Sequence, residues 1–240
     1  MAKYKDLTNL INTSINEIAF IAALGPSLKP YIDWIVANRK SLTLISCNDV
    51  DLMTPLSPDY WGFANSVQTM PFMAERFKAH PNSTIVYADS VDCTPRFQVE
   101  RILDQDFYGY DQRHFNGKKC SGCPNQCANF IPNRLTIQEY LKQYTNSSTL
   151  YSSGDTVAVH LTALAILLGC KKIFIAGCDL DYSKGYVDPS SHNSGNFSPY
   201  IKTIVNDFKI IAESAQNIGV EVINLSPVSP LQQVLSTQSL

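Results

Sequence analysis

Residues 151–186 read YSSGDTVAVHLTALAILLGCKKIFIAGCDLDYSKGY, and this stretch decides the fold. Nearly every residue in 156–168 is apolar or small, which predicts a helix buried on all sides. Asp155 or Ser153 is the expected N-cap, and Gly169 the left-handed residue that ends the helix. The apolar run 173–178 then predicts a strand covered on both faces.

Acidic residues follow this predicted strand. Gly177, Asp179 and Asp181 fall at its carboxyl end. Open α/β sheets bind their ligands at the carboxyl ends of the strands, so we expect a functional site here.

The composition bounds the class of protein. The 240 residues are 45% hydrophobic and 17% charged, with a formal net charge of −2, as in a globular domain without a nucleic-acid surface. No apolar run reaches the ~20 residues of a membrane-spanning helix. The N-terminal MAKYKDLTNLINTS lacks the apolar core of a secretory signal, so we expect a cytoplasmic protein. A homo-oligomer is compatible with this composition.

Strand and helix patterns alternate along the chain. Further strands are predicted at 17–23, 41–47, 83–88 and 220–225, and helices at 29–38, 71–80, 135–144 and 199–218. Residues 55–66 are predicted to be a loop. The fold class is α/β, a Rossmann-like, mostly parallel sheet flanked by helices, in one domain over residues 1–240. A Cys-rich segment, 92–134, is expected as an inserted lid or subdomain.

Two strand ends carry candidate nucleotide contacts. The turn Gly25-Pro26-Ser27 lies between the first strand and a helix, so its backbone N–H groups and the Ser27 hydroxyl suit a phosphate. The alternative is a capped turn with Ser27 as the helix N-cap. Asn48 follows the second strand, where its amide can contact a base or ribose or form an Asx-turn.

The segment 92–134 contains a pattern typical of metal sites. His114, Cys120, Cys123 and Cys127 have the spacing of a tetrahedral zinc site, and Cys93 is the alternative to His114 as fourth ligand. A closed site of this kind is structural. Reduced cysteines, disulfides and an iron–sulfur cluster are the alternatives.

Several motifs together resemble one enzyme family. Gly25-Pro26-Ser27-Leu28, Cys47-Asn48, Ser153-Gly154, Gly177-Cys178-Asp179 and Ser191-His192 resemble segments of the bacterial lipooligosaccharide sialyltransferases. They also resemble a related domain-of-unknown-function family. It includes motility accessory factors, implicated in flagellin glycosylation, and an archaeal hydroxymethyl-dihydropterin pyrophosphokinase. The resemblance covers roughly residues 17–50 and 150–230.

The resemblance implies a nucleotide-dependent transferase, most simply a glycosyltransferase with a CMP-sugar donor and a separate acceptor. It implies nucleotide contacts from the Gly-Pro-Ser turn, Asn48 and Ser153-Gly154. Tyr182 and Tyr186 would donate to the leaving phosphate, and His192 or Asp179 would be the base.

The chain departs from the family pattern at three places. Leu24 replaces an Asn, Tyr182 lies one residue beyond the family's first Tyr, and Asn196 occupies the position of the family's basic His. Two alternatives therefore stay open. One is a pyrophosphokinase with Mg²⁺ held through Asp179 and Asp181, and the other is a nucleotide-binding module without catalysis.

The zinc hypothesis makes a prediction of its own. Protein purified without chelator should carry about one zinc per chain by metal analysis, because four such ligands close one tetrahedral site. Cys123→Ser should alter stability and leave nucleotide binding unchanged. Metal analysis that finds no zinc, in protein never exposed to chelator, would contradict the site.

Overall fold

The computed structural model describes residues 4–5, 7–48, 57–63, 70–88, 103, 105–110, 156–181 and 201–240. The strands in these ranges form one sheet in the order β1-β6-β5-β4-β3-β2-β7-β8-β9, and every neighbouring pair is parallel. They are β1 (Tyr4–Lys5), β2 (Ile18–Ala22), β3 (Thr43–Cys47), β4 (Tyr60–Phe63), β5 (Thr84–Ala88), β6 (Phe107–Tyr110), β7 (Lys172–Ala176), β8 (Glu221–Asn224) and β9 (Ser236–Thr237). The predicted parallel α/β sheet is confirmed.

Four α-helices accompany the sheet in the described ranges: α1 (Ile32–Asn38), α2 (Met70–Lys78), α3 (Val157–Leu167) and α4 (Ile201–Asn217). Shorter 3₁₀ helices span Leu7–Leu10, Pro26–Tyr31 and Pro230–Gln233. Within these ranges, none of the helices combines the length and apolar character needed to cross a bilayer.

Helices cover both faces of the sheet. In β4, Trp61 packs edge-on against Phe77 of α2, with ring centroids 4.7 Å apart. The next residue, Gly62, faces the other way, and a Cβ built there would lie 2.5 Å from Cδ2 of Leu161 in α3. Glycine at this point of the strand therefore lets α3 lie directly on the sheet.

The central strands are buried almost throughout, as their continuous apolar sequences predict. Every residue of β3 is buried, as are all but the first residue of β2 and of β7. In register, β2 pairs with β3 on one side and with β7 on the other. Strands β3 to β6 extend the sheet in sequence order on one side of β2, and β7 to β9 extend it on the other side. The direction of chain winding therefore reverses between β2 and β7.

Helix α3 is the core helix that its sequence predicts, with all of its residues buried. Its N-cap is Thr156, which makes no side-chain capping bond, so the expectation of Asp155 or Ser153 as N-cap was wrong. At its other end Gly169 has φ +93°, the predicted left-handed stop. The N–H groups of Asn12 and Ser14 donate to the carbonyls of residues 167 and 168, each at 3.0 Å. The N-terminal segment thus satisfies the helix end.

Four strands were missed in the sequence: the two-residue edge strands β1 and β9, and two strands inside the sheet. Residues 60–63, predicted to be loop, form β4, and residues 107–110, predicted to belong to the inserted lid, form β6 of the main sheet. Both are four-residue strands that contain a glycine, and the sequence pattern is weakest in such strands. The remaining cysteine-bearing part of the insertion lies outside the described residues.

Asp59 joins β4 to its neighbours. Its Oδ2 accepts a hydrogen bond from the Leu44 N–H at 2.8 Å, and Arg39 donates to both carboxylate oxygens at 2.9 and 2.7 Å. Its backbone N–H and C=O bond Leu44 and Thr84. Both side chains of the ion pair are partly exposed, so the contribution of the charge is modest.

We therefore expect Asp59→Ala to lower the free energy of unfolding by about 1–3 kcal/mol, because the buried Leu44 N–H loses its acceptor. Asp59→Asn, the matched control, keeps an acceptor oxygen and should cost about 1 kcal/mol or less. Urea unfolding followed by tryptophan fluorescence measures both. Equal stability of Asp59→Ala and wild type would refute this role.

Candidate functional site

A pocket opens beyond the carboxyl ends of β2, β3 and β7, where the direction of chain winding reverses. This reversal is the point at which open α/β sheets bind ligands. The described residues that line the pocket are Ala23, Leu24, Gly25, Cys47, Asn48, Thr156, Val157, Gly177, Cys178, Asp179, Leu180 and Asp181.

Two strand-end turns meet at the floor of this pocket. The Gly25 N–H donates to the Gly177 carbonyl at 2.7 Å. A Cβ at Gly25 would lie 2.5 Å from both that carbonyl and Oδ2 of Asp179. Gly177 has φ +77°, and a Cβ there would overlap the Ala23 carbonyl oxygen. Only glycine fits at both positions, because backbone and carboxylate occupy the space of a side chain.

Asp179 is held between these turns. It is 5% exposed, and its Oδ2 accepts a hydrogen bond from the Ser27 N–H at 2.9 Å. Its Oδ1 is buried and has no hydrogen-bond partner among the described residues. Asp179 therefore lines the pocket with one carboxylate oxygen bonded and the other enclosed without a partner.

Ser27 turns away from the pocket. Its hydroxyl accepts the Gly177 N–H at 3.0 Å and shares a short hydrogen bond with the buried Ser226 hydroxyl. The N-cap of the 3₁₀ helix is Gly25, with Pro26 in its first turn, so the alternative of Ser27 as N-cap was wrong. The predicted phosphate position is taken by the Asp179 carboxylate, which bonds the Ser27 N–H. The Ser226 partnership could not be predicted from the sequence because it joins distant strand ends.

Asn48 is fixed by its backbone at the end of β3. It has φ +44°, a left-handed conformation that Asn tolerates better than most residues. Its N–H donates to the Gly62 carbonyl at 2.9 Å, and its own carbonyl accepts from Trp61 Nε1 at 2.8 Å. Its side-chain Oδ1 is buried without a partner among the described residues. Asn48 thus resembles Asp179, in that an enclosed acceptor oxygen of a pocket-lining residue is left without a partner.

Two thiols line the same pocket, Cys47 and Cys178, and both are buried. Burial raises the pKa of the Cys178 thiol far above its usual range, and the neighbouring Cys47 and Asp179 raise it further. Cys178 is therefore a neutral thiol at physiological pH and not a nucleophile.

The charge of the described wall is acidic. Asp179 and Asp181 both line the pocket, whereas none of its described lining residues is Lys or Arg. A phosphate group is repelled by such a wall unless a cation lies between them. Within the described ranges, no group of three or more His, Cys, Asp or Glu side chains is placed to hold a metal ion.

The structure brings part of the predicted site together. Gly25, Asn48 and Asp179 line one pocket, and Pro26 and Ser27 lie beside it. The other candidates lie outside the described residues and stay predictions: Ser153, Gly154, Tyr182, Tyr186 and His192 for the nucleotide and the chemistry, and His114, Cys120, Cys123 and Cys127 for zinc.

Comparison with known proteins gives a fold and no closer relationship. No protein-family model matches the chain, and no curated protein does. Among solved structures, it is similar to the MAf glycosyltransferase from Magnetospirillum magneticum AMB-1, with a TM-score of 0.56 at 18% identity over 96% of this chain. The chain spans only 35% of that protein's length.

Sialyltransferases match over most of both chains. The sialyltransferase CST-II in complex with a trisaccharide acceptor and CMP gives a TM-score of 0.54 at 16% identity, over 92% of this chain and 86% of that one. The alpha-2,3-sialyltransferase from Campylobacter jejuni gives 0.51 at 14% identity, over 100% and 85%. The resemblance to sialyltransferases and motility accessory factors is thus confirmed for the fold. The pyrophosphokinase part of the resemblance finds no support here.

The glycine contact at the pocket floor predicts an unequal effect of two similar substitutions. Gly177 and Gly219 both have positive φ, but a Cβ at Gly219 has no atom within 4 Å. Gly219→Ala should cost about 1–2 kcal/mol from backbone strain alone. Gly177→Ala should cost at least about 2 kcal/mol more, because the methyl group also overlaps backbone.

Urea unfolding of the two variants beside wild type measures this difference. Equal losses of stability in the two variants would mean that the turns at Gly25 and Gly177 are not in close backbone contact.

Proposed function

We propose that this chain is a glycosyltransferase domain that binds a CMP-sugar donor in the pocket between β3, β2 and β7. The observation that carries the proposal is the pair of buried, unpartnered acceptors, Asn48 Oδ1 and Asp179 Oδ1, in a pocket at the winding reversal of this sheet. The fold shared with a sialyltransferase solved with CMP supports the choice of nucleotide.

The two acceptors favour the nucleoside part of the donor. A buried acceptor without a partner costs about 1–3 kcal/mol, so a ligand whose donors reach these enclosed oxygens as it binds is stabilised there. The exocyclic amine of cytosine and the ribose hydroxyls are donors, whereas a phosphodiester has only acceptors. The base and ribose therefore suit the wall formed by Asn48 and Asp179.

The acidic wall favours a donor with a single phosphate. With Asp179 and Asp181 in the described wall, the phosphate is best placed away from these two carboxylates. The resemblance assigns the phosphate contacts to Tyr182 and Tyr186, whose hydroxyls would donate to the phosphate as negative charge develops on the leaving group. A CMP-sugar brings a single phosphate into this acidic pocket, whereas a nucleoside di- or triphosphate brings more negative charge.

The reaction that follows is a substitution at the anomeric carbon. The acceptor hydroxyl oxygen forms a bond to that carbon, the bond from the carbon to the phosphate oxygen breaks, and CMP leaves. A base takes the hydroxyl proton. Asp179 is buried and bonded to the Ser27 N–H, which suits a binding role, so His192 is the better candidate for the base.

One observation favours a second candidate function. Asp179 and Asp181 line the same pocket, as a Mg²⁺-dependent pyrophosphokinase would require. A binding module without catalysis is the third possibility, because Asn196 occupies the position of the family's basic His.

A thermal-shift panel of CMP, CDP, UDP, ATP and GDP, with and without Mg²⁺, separates these functions. A shift with CMP that needs no metal supports the proposal, and a shift with ATP only in the presence of Mg²⁺ supports the pyrophosphokinase. CMP binding without release of CMP from CMP-sialic acid, in the presence of glycan acceptors, indicates the binding module. Absence of any shift contradicts nucleotide binding.

Asn48→Gly tests the proposed contact most cleanly. Glycine accepts the left-handed backbone at this position, so the substitution removes the amide without adding strain. We expect CMP binding to weaken by about tenfold or more while stability falls by only about 1 kcal/mol.

Asn206→Ala, on the exposed side of α4, is the matched control and should bind CMP as wild type does. Unchanged CMP affinity of Asn48→Gly in a calorimetric titration would remove Asn48 from the site.

A further inference from the structure

We propose that Trp61 is a positioning residue for the pocket, because its indole N–H fixes the backbone of Asn48 in the pocket wall. Trp61 is not among the described residues that line the pocket, so it acts through Asn48 and not on a ligand. The inference rests on the proposed function, in which Asn48 contacts the nucleotide, and adds how the fold holds that contact in place.

Both backbone polar groups of Asn48 are held by β4. Its N–H donates to the Gly62 carbonyl at 2.9 Å, which continues the pairing of β3 with β4 by one bond. Its C=O accepts from Nε1 of Trp61 at 2.8 Å. The two bonds lie on either side of the Asn48 Cα, so together they restrict its φ and ψ and thereby the direction of its side chain.

The conformation of Asn48 requires such support. At φ +44° the residue is left-handed, which places a Cβ close to the backbone and is less stable than the extended conformation of the preceding strand. Asn tolerates this conformation better than most residues do, but it is not confined to it. Without the bond to Trp61, extended backbone at this position would point the Asn48 side chain in another direction.

Trp61 is itself held in one orientation. Its side chain is fully buried, and its ring contacts Phe77 of α2 edge-on at 4.7 Å and His80, just after α2, edge-on at 5.2 Å. The Arg76 guanidinium lies over the same ring, 5.8 Å from its centroid. Aromatic and cation–π contacts of this kind stabilise a ring beyond its burial. The indole therefore keeps its N–H directed at the Asn48 carbonyl.

The chemistry of the indole suits this task. Its N–H only donates and carries no charge, so it pairs with a carbonyl at the end of a strand without bringing a charge into the core. A phenylalanine would fill most of the same space against α2 but could not bond the carbonyl. Packing alone therefore does not account for Trp at position 61, whereas a bond to Asn48 does.

Trp61→Phe separates the two roles, because it keeps a ring against α2 and removes the donor. We expect CMP to bind about three- to tenfold more weakly to this variant in a calorimetric titration of the full chain. Phe107→Leu is the matched control. It trims another fully buried aromatic, three strands away from β3, and should bind CMP as wild type does. Wild-type affinity in Trp61→Phe, or an equal loss in both variants, would overturn the inference.

A double-mutant cycle shows whether Trp61 acts through the Asn48 side chain. In the Asn48→Gly background that side chain is already absent, so adding Trp61→Phe should weaken CMP binding by less than about twofold more. Effects that multiply fully would show that Trp61 influences the pocket by another route and would overturn the inference.

Hydrogen exchange of the Asn48 amide, followed by NMR without ligand, tests the positioning directly. Relative to the amides of β2, this amide should exchange about tenfold faster in Trp61→Phe and as in wild type in Phe107→Leu. An unchanged rate in Trp61→Phe would overturn the positioning role. Absence of CMP binding by wild type would instead overturn the proposed function, and the exchange rates would still decide the role of Trp61.

Should Trp61→Phe not fold, benzothienylalanine can be incorporated at position 61. This amino acid keeps the shape of the indole with sulfur in place of the N–H group, and it should give the same losses of CMP affinity and of amide protection. Wild-type behaviour of that protein would overturn the inference.

Discussion

The close approach of two backbone turns, at Gly25 and Gly177, is the constraint on which the site depends. Their 2.7 Å hydrogen bond joins the carboxyl ends of β2 and β7, the strands on either side of the winding reversal. No side chain fits between them, so the two turns pack backbone to backbone. The segment after Gly177 is thereby directed across the first turn. This places Asp179 against Ser27 and brings strand ends far apart in sequence into one pocket wall.

That arrangement changes the electrostatic character of the first turn. A Gly-Pro-Ser turn before a helix offers N–H groups to an anion, and the sequence alone suggests a phosphate. In the folded chain the anion is the carboxylate of Asp179, and the Ser27 hydroxyl bonds the β7 turn and Ser226. The turn therefore fixes the Asp179 carboxylate in place. A ligand phosphate must find its donors elsewhere.

The sequence predicts those parts of the fold in which one segment carries its own pattern. The strands β2, β3 and β7 and the helix α3 are buried on all sides, so their apolar runs identify them. In β4 the pattern fails, since Trp61 faces α2 and Gly62 lies under α3, and a glycine in a four-residue run resembles a turn. The position of β4 is instead set by contacts with the neighbouring strands, including the hydrogen bonds that join Asp59 to Leu44 and Thr84.

The same distinction applies to the site. Parallel strands end at the same edge of a sheet, and this rule predicts that Asn48 and Asp179 lie in one pocket. The rule does not predict the direction in which each side chain points. That direction depends on contacts between residues more than a hundred positions apart, such as Ser27 with Asp179. Similarity of fold at 14–18% identity does not supply those directions either. One fold hosts many reactions, and the side chains at its strand ends select among them. Here Asn48 and Asp179 line the pocket and its described wall has no Lys or Arg, so it offers a phosphate no positive charge. The proposed glycosyltransferase would therefore need donors from outside this wall to stabilise the charge that develops on the phosphate as the sugar departs.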